Sequence, residues 1–227
     1  MSDTEFGDQA AQIAARLQDL GEDDRIAAAC RGSGNPVALA WIAENLRLHD
    51  TSTVVDLGAG LGGPSAWMRA RYRCRVVAVE PEEQAATAAS STFALTTVVA
   101  AADKAPFAAD AFGTALLLGV VSVVARPHIV LGEARRIAGS LGLMDYCSTG
   151  TEAVRAGGST FPTETKLREM VAVYWRLEQF AGVSVEPPHT WSRASDDVET
   201  EPDPDEADVV QAIDEGRIAP IMLVATR

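Results

Sequence analysis

The chain has 227 residues, of which 47% are hydrophobic and 22% charged, with a formal net charge of −13. That length suits one α/β domain with a helical extension, and the hydrophobic share excludes global disorder. The acidity leaves no basic surface for a phosphate backbone, so nucleic acid is not an expected partner.

The elements follow in chain order. The start, Met1-Ser2-Asp3-Thr4-Glu5, lacks the charged-then-apolar pattern of a secretory signal. Residues 8–20 read as a helix, with Ala11, Ile13, Ala14, Leu17 and Leu20 at helical spacing and Gly21 as the stop. A second helix over about 23–30 ends at Gly32-Ser33-Gly34-Asn35, and Pro36 opens a third through Leu48. The rhythm then changes to short apolar strands alternating with helices. Strands are expected at 53–57, 75–79, 96–100, 114–120 and 141–146, with helices at 64–72, 82–92 and 127–138. Continuous rather than alternating apolar strands point to a parallel sheet covered on both faces. The tail reads as a helix from Glu164 to Phe180, a strand from Val183 to Glu186, an acidic loop, a short helix at about 205–215 and a last strand from Ile218 to Thr226.

The acidic loop, 195–208, holds eight Asp and Glu and no Lys or Arg; removing those eight from −13 leaves −5 for the rest. It reads as a solvated loop. The three cysteines, Cys30, Cys74 and Cys147, are odd in number and widely spaced, with no Cys-x-x-Cys. They are read as reduced thiols of a cytoplasmic protein, with no metal site. No apolar run reaches the length of a membrane span, so no membrane partner is expected.

The segment Val54-Val55-Asp56-Leu57-Gly58-Ala59-Gly60-Leu61-Gly62-Gly63-Pro64 runs strand, glycines, helix. Glycines permit a sharp turn and close approach of a ligand to bare backbone, and the helix start presents free N–H groups. Gly58, Gly60 and Gly63 satisfy the dinucleotide pattern G-x-G-x-x-G, with Glu80 about 20 residues on. Gly58, Gly60 and Gly62 equally satisfy G-x-G-x-G, so the glycines alone leave the cofactor open.

The longer run Asp56 to Pro64 resembles the first motif of class I S-adenosylmethionine-dependent methyltransferases of the small-molecule type. Its Gly62-Gly63-Pro64 ending is similar to the sarcosine and dimethylglycine methyltransferase group. Asp56 stands where dinucleotide-binding domains usually carry an apolar residue. Ala102-Asp103-Lys104-Ala105-Pro106-Phe107 and Ala134-Arg135-Arg136-Ile137 to Gly142 resemble later segments of the same family, over about residues 53–146. Gly113 departs from the pattern, an acid being usual there.

The resemblance implies a three-layer α/β sandwich with a mostly parallel, seven-stranded Rossmann-like sheet. Residues 1–50 form an N-terminal helical extension or cap, and 51–227 the methyltransferase domain. It implies S-adenosyl-L-methionine as cofactor, held by Asp56, Gly58, Ala59, Gly60, Gly62, Glu80, Pro81, Ala102, Asp103, Leu118 and Gly119. Glu80 would accept from the ribose hydroxyls and Asp103 from the adenine amine. Asp56 would hold the loop or meet the methionine amino group. The expected reaction is methyl transfer to an oxygen or nitrogen of a small molecule by in-line displacement, in which alignment matters most. A base is needed only for a protonated nucleophile.

Candidates for that base are weak. His189, in Pro187-Pro188-His189-Thr190-Trp191, follows the tail strand; His128 opens a helix; Tyr146 ends a strand beside the expected pocket; His49 reads as a solvated cap. Cys147 and the aromatics Phe161, Tyr174, Trp175 and Trp191 are pocket wall or core. Glu186-Pro187-Pro188-His189 is not the Asn/Asp-Pro-Pro-Tyr of base and amide methylases, which follows strand four, where this chain has Leu118-Gly119-Val120-Val121. The alternatives are a non-catalytic cofactor-binding homologue and an NAD-dependent oxidoreductase, for which no Tyr-x-x-x-Lys is present. The helices before residue 50 are expected across the mouth of the site, with Tyr146 and the 187–191 segment as acceptor walls. A homodimer is compatible with the sequence.

Overall fold

A computed structural model of the chain describes residue 10 and residues 12–30, 36–182 and 204–227. Three helices come first: α1 (12–17), α2 (Glu22–Ala29) and α3 (Pro36–Asn45). Then follow β1 (Thr53–Leu57), α4 (Gly63–Tyr72), β2 (Arg75–Glu80), α5 (Glu83–Phe93), β3 (Thr96–Val99), β4 (Phe112–Leu118), α6 (Pro127–Ile137) and β5 (Ala138–Ser148). A hairpin of β6 (Val154–Ala156) and β7 (Ser159–Phe161) leads into α7 (Glu164–Ala172) and β8 (Arg176–Gly182). The chain closes with α8 (Pro204–Asp214) and β9 (Ile218–Thr226).

Seven strands form one sheet in the order β3-β2-β1-β4-β5-β9-β8. β9 runs antiparallel to both neighbours, and the other pairs are parallel. The result is the expected Rossmann-like three-layer sandwich. The central strands are apolar throughout because both faces are covered. On one face, Leu117, Leu141 and Leu143 pack with Val130, Leu131 and Ile137 of α6 and Leu167 and Val171 of α7. On the other, Val54, Leu116, Met144 and Met222 pack with Leu39 and Ile42 of α3 and Met68 of α4.

The N-terminal helices do not lie across the mouth of the site as a group. α3 is built into the layer over β5 and β9: a Cβ at Gly142 would stand 2.5 Å from Ile42 Cγ2. α1 and α2 pack through Ile13, Leu17 and Ile26 onto Ala66 of α4 and Ala85, Ala88 and Ala89 of α5. The end of α2 approaches the glycine loop, its Ala29 backbone 2.5 Å from where a Cβ at Gly63 would stand. Apolar burial explains the difference, since Leu39 and Ile42 are fully buried and removing each from water contributes roughly 1.5–3 kcal/mol. The Gly32–Asn35 loop lies outside the described residues.

The helix expected from Glu164 to Phe180 ends at Ala172. The N–H groups of Tyr174 and Trp175 both reach the Val171 carbonyl, at 3.1 and 2.9 Å. The indole of Trp175 donates to the Leu131 carbonyl at 3.2 Å, and the chain then enters β8 at the sheet edge. Leu177 and Phe180 continue the helical spacing of Leu167, Val171 and Tyr174, so periodicity does not mark the break; pairing with β9 decides it. The strand expected at 183–186 lies outside the described residues. β4 begins and ends two residues earlier than expected, turning at Gly119 with φ +75. β5 is longer at both ends, and the β6–β7 hairpin was not foreseen. Among the described residues no helix is long and apolar enough to cross a membrane, and no cluster of His, Cys, Asp and Glu is arranged for a metal ion.

Candidate active site

Strand order reverses between β1 and β4, so the loops after these strands diverge and leave a crevice at their carboxyl ends. A cavity of about 630 Å³ lies there. The glycine loop forms its floor. Gly58, Gly60 and Gly62 have φ of +81, +54 and +80, the left-handed region that favours glycine. The N–H groups of Gly58 and Ala59 donate to the Val79 carbonyl at 2.8 and 3.0 Å, tying the loop to β2.

Glu80, at the end of β2, is buried and bound to the same loop. Its Oε2 accepts from the Gly60 N–H at 2.8 Å and its Oε1 from the Glu82 N–H at 3.1 Å. Each carboxylate oxygen has two acceptor directions, so Glu80 can shape the loop and still accept from a ligand. Across the cavity, Ala102 and Asp103 follow β3, while Leu118 and Gly119 end β4. Asp103 forms an ion pair of 3.2 Å with Arg126, at the start of α6.

Asp56 is the most confined of these groups. Its Oδ2 accepts from the Ser65 hydroxyl at 2.7 Å, while its Oδ1 is buried without a hydrogen-bond partner. Burial, aided by the nearby Glu80 charge, pushes its carboxyl up to about 6, against the lowering effect of Ser65. A buried unmatched carboxylate oxygen calls for a donor, best a cationic one.

Asp56, Gly58, Ala59, Gly60, Glu80, Pro81, Ala102, Asp103, Leu118 and Gly119 all line this cavity. Gly62 does not. A Cβ there would stand 2.7 Å from Leu95 Cδ1 and 2.8 Å from Ala89 Cβ, so its task is to turn the chain into α4 beneath α5. Gly63 has a similar reason: a Cβ would meet the backbone of Ala29 and Cys30 at 2.5–2.7 Å. The Gly62-Gly63-Pro64 ending thus serves the packing of α2, α4 and α5.

The candidate bases stand apart. His128 is exposed at the start of α6 and lines no described cavity; His189 lies outside the described residues. Tyr146 turns away from the crevice into a small cluster with Phe161, Ala156, Ala212 and Ile218. Its ring meets that of Phe161 edge-on at 6.3 Å, which corrects its expected place as an acceptor wall. Strand alternation explains this, because its neighbours Asp145 and Cys147 take the opposite face. Cys147 is core, and burial pushes its thiol up to about 12.

Sequence reasoning missed Asp145. It is buried in β5, where burial raises its carboxyl above the usual range. Oδ2 accepts from the Ser122 N–H at 3.1 Å and Oδ1 from the Tyr146 N–H at 2.8 Å. It thereby fixes the loop between β4 and α6. The signal was present as one acid inside the apolar run Leu141 to Cys147. The loop it fixes contributes Val123, Val124 and Ala125 to the lining of both the first cavity and a second of about 570 Å³.

Residues 55–144 match the family model of a methyltransferase domain. The matched span, about two fifths of the chain, is similar to a methyltransferase domain. It is an enzyme domain whose methyl donor is S-adenosylmethionine, and the matched span contains ten of the residues around the first cavity named above. No curated protein matches the sequence. Among solved structures, the fold is similar to that of the SpnF cyclase, with a TM-score of 0.71 at 14% identity over 83% of this chain and 80% of that one. It is also similar to a geranyl diphosphate C-methyltransferase from Streptomyces coelicolor A3(2), with a TM-score of 0.67 at 14% identity over 84% and 78%. A Haloferax volcanii putative methyltransferase, solved with the Trm112 methyltransferase activator, gives 0.65 at 19% identity over 98% and 97%. The first is named for a cyclisation, so these likenesses speak for the fold and not for the reaction.

The cavity's residues fit the donor. The cavity offers carboxylate acceptors at Asp56, whose Oδ1 is unmatched, Glu80 and Asp103, a set compatible with a ligand that carries an ammonium, ribose hydroxyls and an adenine amine.

Proposed function

We propose that the protein transfers a methyl group from S-adenosylmethionine to an oxygen or nitrogen nucleophile of a small molecule. One observation carries the reading: a cavity with an unmatched buried carboxylate, Asp56, adjoins a second cavity, and Val123, Val124 and Ala125 line both. Donor and acceptor each have a space, with the transfer position between them.

When bound, S-adenosylmethionine supplies an electrophilic methyl group on a sulfonium. The chain's own residues supply position. Gly58 to Gly60 let backbone approach the ligand, Glu80 holds that loop through the Gly60 N–H, and Asp145 holds the facing loop through the Ser122 N–H. Two loops fixed on one sheet keep donor and acceptor aligned for in-line attack, which is the larger part of the catalysis required. An amine that has lost its proton, or an oxygen already ionised, needs no base from the chain.

The enzyme is read as a cytoplasmic one whose partner is a small molecule, with no nucleic acid or membrane to bind. The acidic charge and the three unpaired cysteines support this. The likeness of Gly62-Gly63-Pro64 to the sarcosine and dimethylglycine group adds little about the acceptor, because those residues have packing reasons of their own. Incubation with donor labelled in the methyl group and a panel of small amines, acids and phenols tests the proposal. Label should appear in a low-molecular-weight product; label only in protein or nucleic acid would contradict it.

A further inference from the structure

We propose that the second cavity takes the acceptor and that Lys166 pairs there with an anionic group on it, making the acceptor a small, partly apolar organic acid. This rests on the donor reading above and adds the chemical class of the acceptor.

The cavity lies between the β4–α6 loop, the β6–β7 hairpin and the start of α7. Its apolar wall includes Val123, Pro162 and Met170, and its polar rim includes Thr160, Thr163 and Lys166. Val123 is 60% exposed, a large apolar side chain left to the crevice rather than the core. Among the described lining residues Lys166 carries the one charged side chain, in a chain with 32 acids against 19 Lys and Arg. Asp145 and Asp205 stand behind the lining residues Ser122 and Gly158, and Lys166 is the charged side chain that the described lining itself presents, a cation that favours an anion.

The position of Lys166 argues the same way independently. Thr163 caps α7, its side chain accepting from the Lys166 N–H at 3.2 Å. The residue three after such a cap is ordinarily Glu or Gln, which returns a bond to the cap. The positive end of the helix also favours an acid in the first turn. A lysine here breaks the local rule, and such breaks mark functional positions. Its contact with Glu169, 3.4 Å between side chains more than 60% exposed, is a surface pair weak enough to yield to a ligand. The Lys166 ammonium is then available to an anion in the cavity that Thr160 and Thr163 also line.

The test is calorimetry on the full chain saturated with S-adenosylhomocysteine. Phenylacetate and octanoate serve as probes, each against its primary amide. At least one acid should bind ten times more tightly than its amide. Lys166→Glu should remove that preference and Lys166→Arg keep it, with S-adenosylhomocysteine affinity in both within twofold of the parent. Glu at 166 completes the capping box, so the variant should fold. Acid and amide binding equally, neither binding, or an acid preference unchanged in Lys166→Glu overturns the proposal. Failure of the parent chain to bind S-adenosylhomocysteine is a distinct result that overturns the donor reading and this inference with it.

Discussion

Ser65 reaches back from α4 to Asp56 on β1, its hydroxyl donating to Oδ2 at 2.7 Å and leaving Oδ1 buried and unmatched. One bond holds the carboxylate in place, and the other oxygen is kept for a ligand. The arrangement disfavours the free protein. With a folded pKa of about 6 against an ordinary 3.8, the native state holds a proton that the unfolded chain has released. Stability therefore falls as pH rises from about 4 to about 6, by roughly 3 kcal/mol at most for this group. Asp56→Asn should flatten that part of the stability–pH curve. Chemical denaturation at a series of pH values checks it.

The same carboxyl should couple donor binding to protons. A cation beside Oδ1 favours the ionised form, so binding releases a proton below pH 6. Affinity for S-adenosylhomocysteine should rise by up to about tenfold per pH unit between 5 and 6. Asp56→Asn should bind more weakly and lose that slope. Calorimetry in buffers of different ionisation enthalpy reads the released proton directly.

Two glycines should behave oppositely. A Cβ at Gly60 meets no protein atom within 4 Å, so Gly60→Val projects into the donor space. It should stay folded, at a cost of about 1–2 kcal/mol for the left-handed φ, and lose donor binding. Gly62→Ala puts a Cβ against Leu95 and Ala89 and should lower stability more than Gly60→Ala does. Thermal melts paired with binding assays separate the two effects.

Glu80→Ala should weaken S-adenosylhomocysteine by about 1–3 kcal/mol, through lost acceptor bonds and through release of the Gly60 N–H. Glu80→Gln keeps one acceptor oxygen and should lose less. Equal losses in the two variants would mean that the charge, rather than the loop bond, does the holding.

Asp145→Ala strands the Ser122 and Tyr146 N–H groups in β5 and the loop it faces. It should cost about 1–3 kcal/mol of stability, with Asp145→Asn recovering part of it. Methyl transfer should fall further than stability does, because the loop that lines both cavities would no longer be fixed. A kcat measured well below the melting temperature makes the comparison.

Much of this was legible in the sequence, for identifiable reasons. Apolar strands such as Val54-Val55 and Leu116-Leu117 announce a sheet buried on both faces, and the glycines after Asp56 announce the turn that a ligand approaches. What periodicity could not show was set by pairing and facing. Leu177 and Phe180 continue the spacing of α7 and became strand only because β9 lies beside them. Tyr146 is at the right end of β5, but strand alternation turns it toward Phe161. Gly62 belongs to the motif, yet only its packing under α5 shows that it holds the chain rather than the ligand. His189 lies outside the described residues.

The most direct measurement is calorimetric titration of the full chain with S-adenosylhomocysteine, beside a matched titration with NAD. S-adenosylhomocysteine should bind at one site per chain, with Asp56→Asn and Gly60→Val weakening or abolishing it and NAD giving no saturable heat. Saturable binding of NAD with none of S-adenosylhomocysteine would contradict the donor site described here.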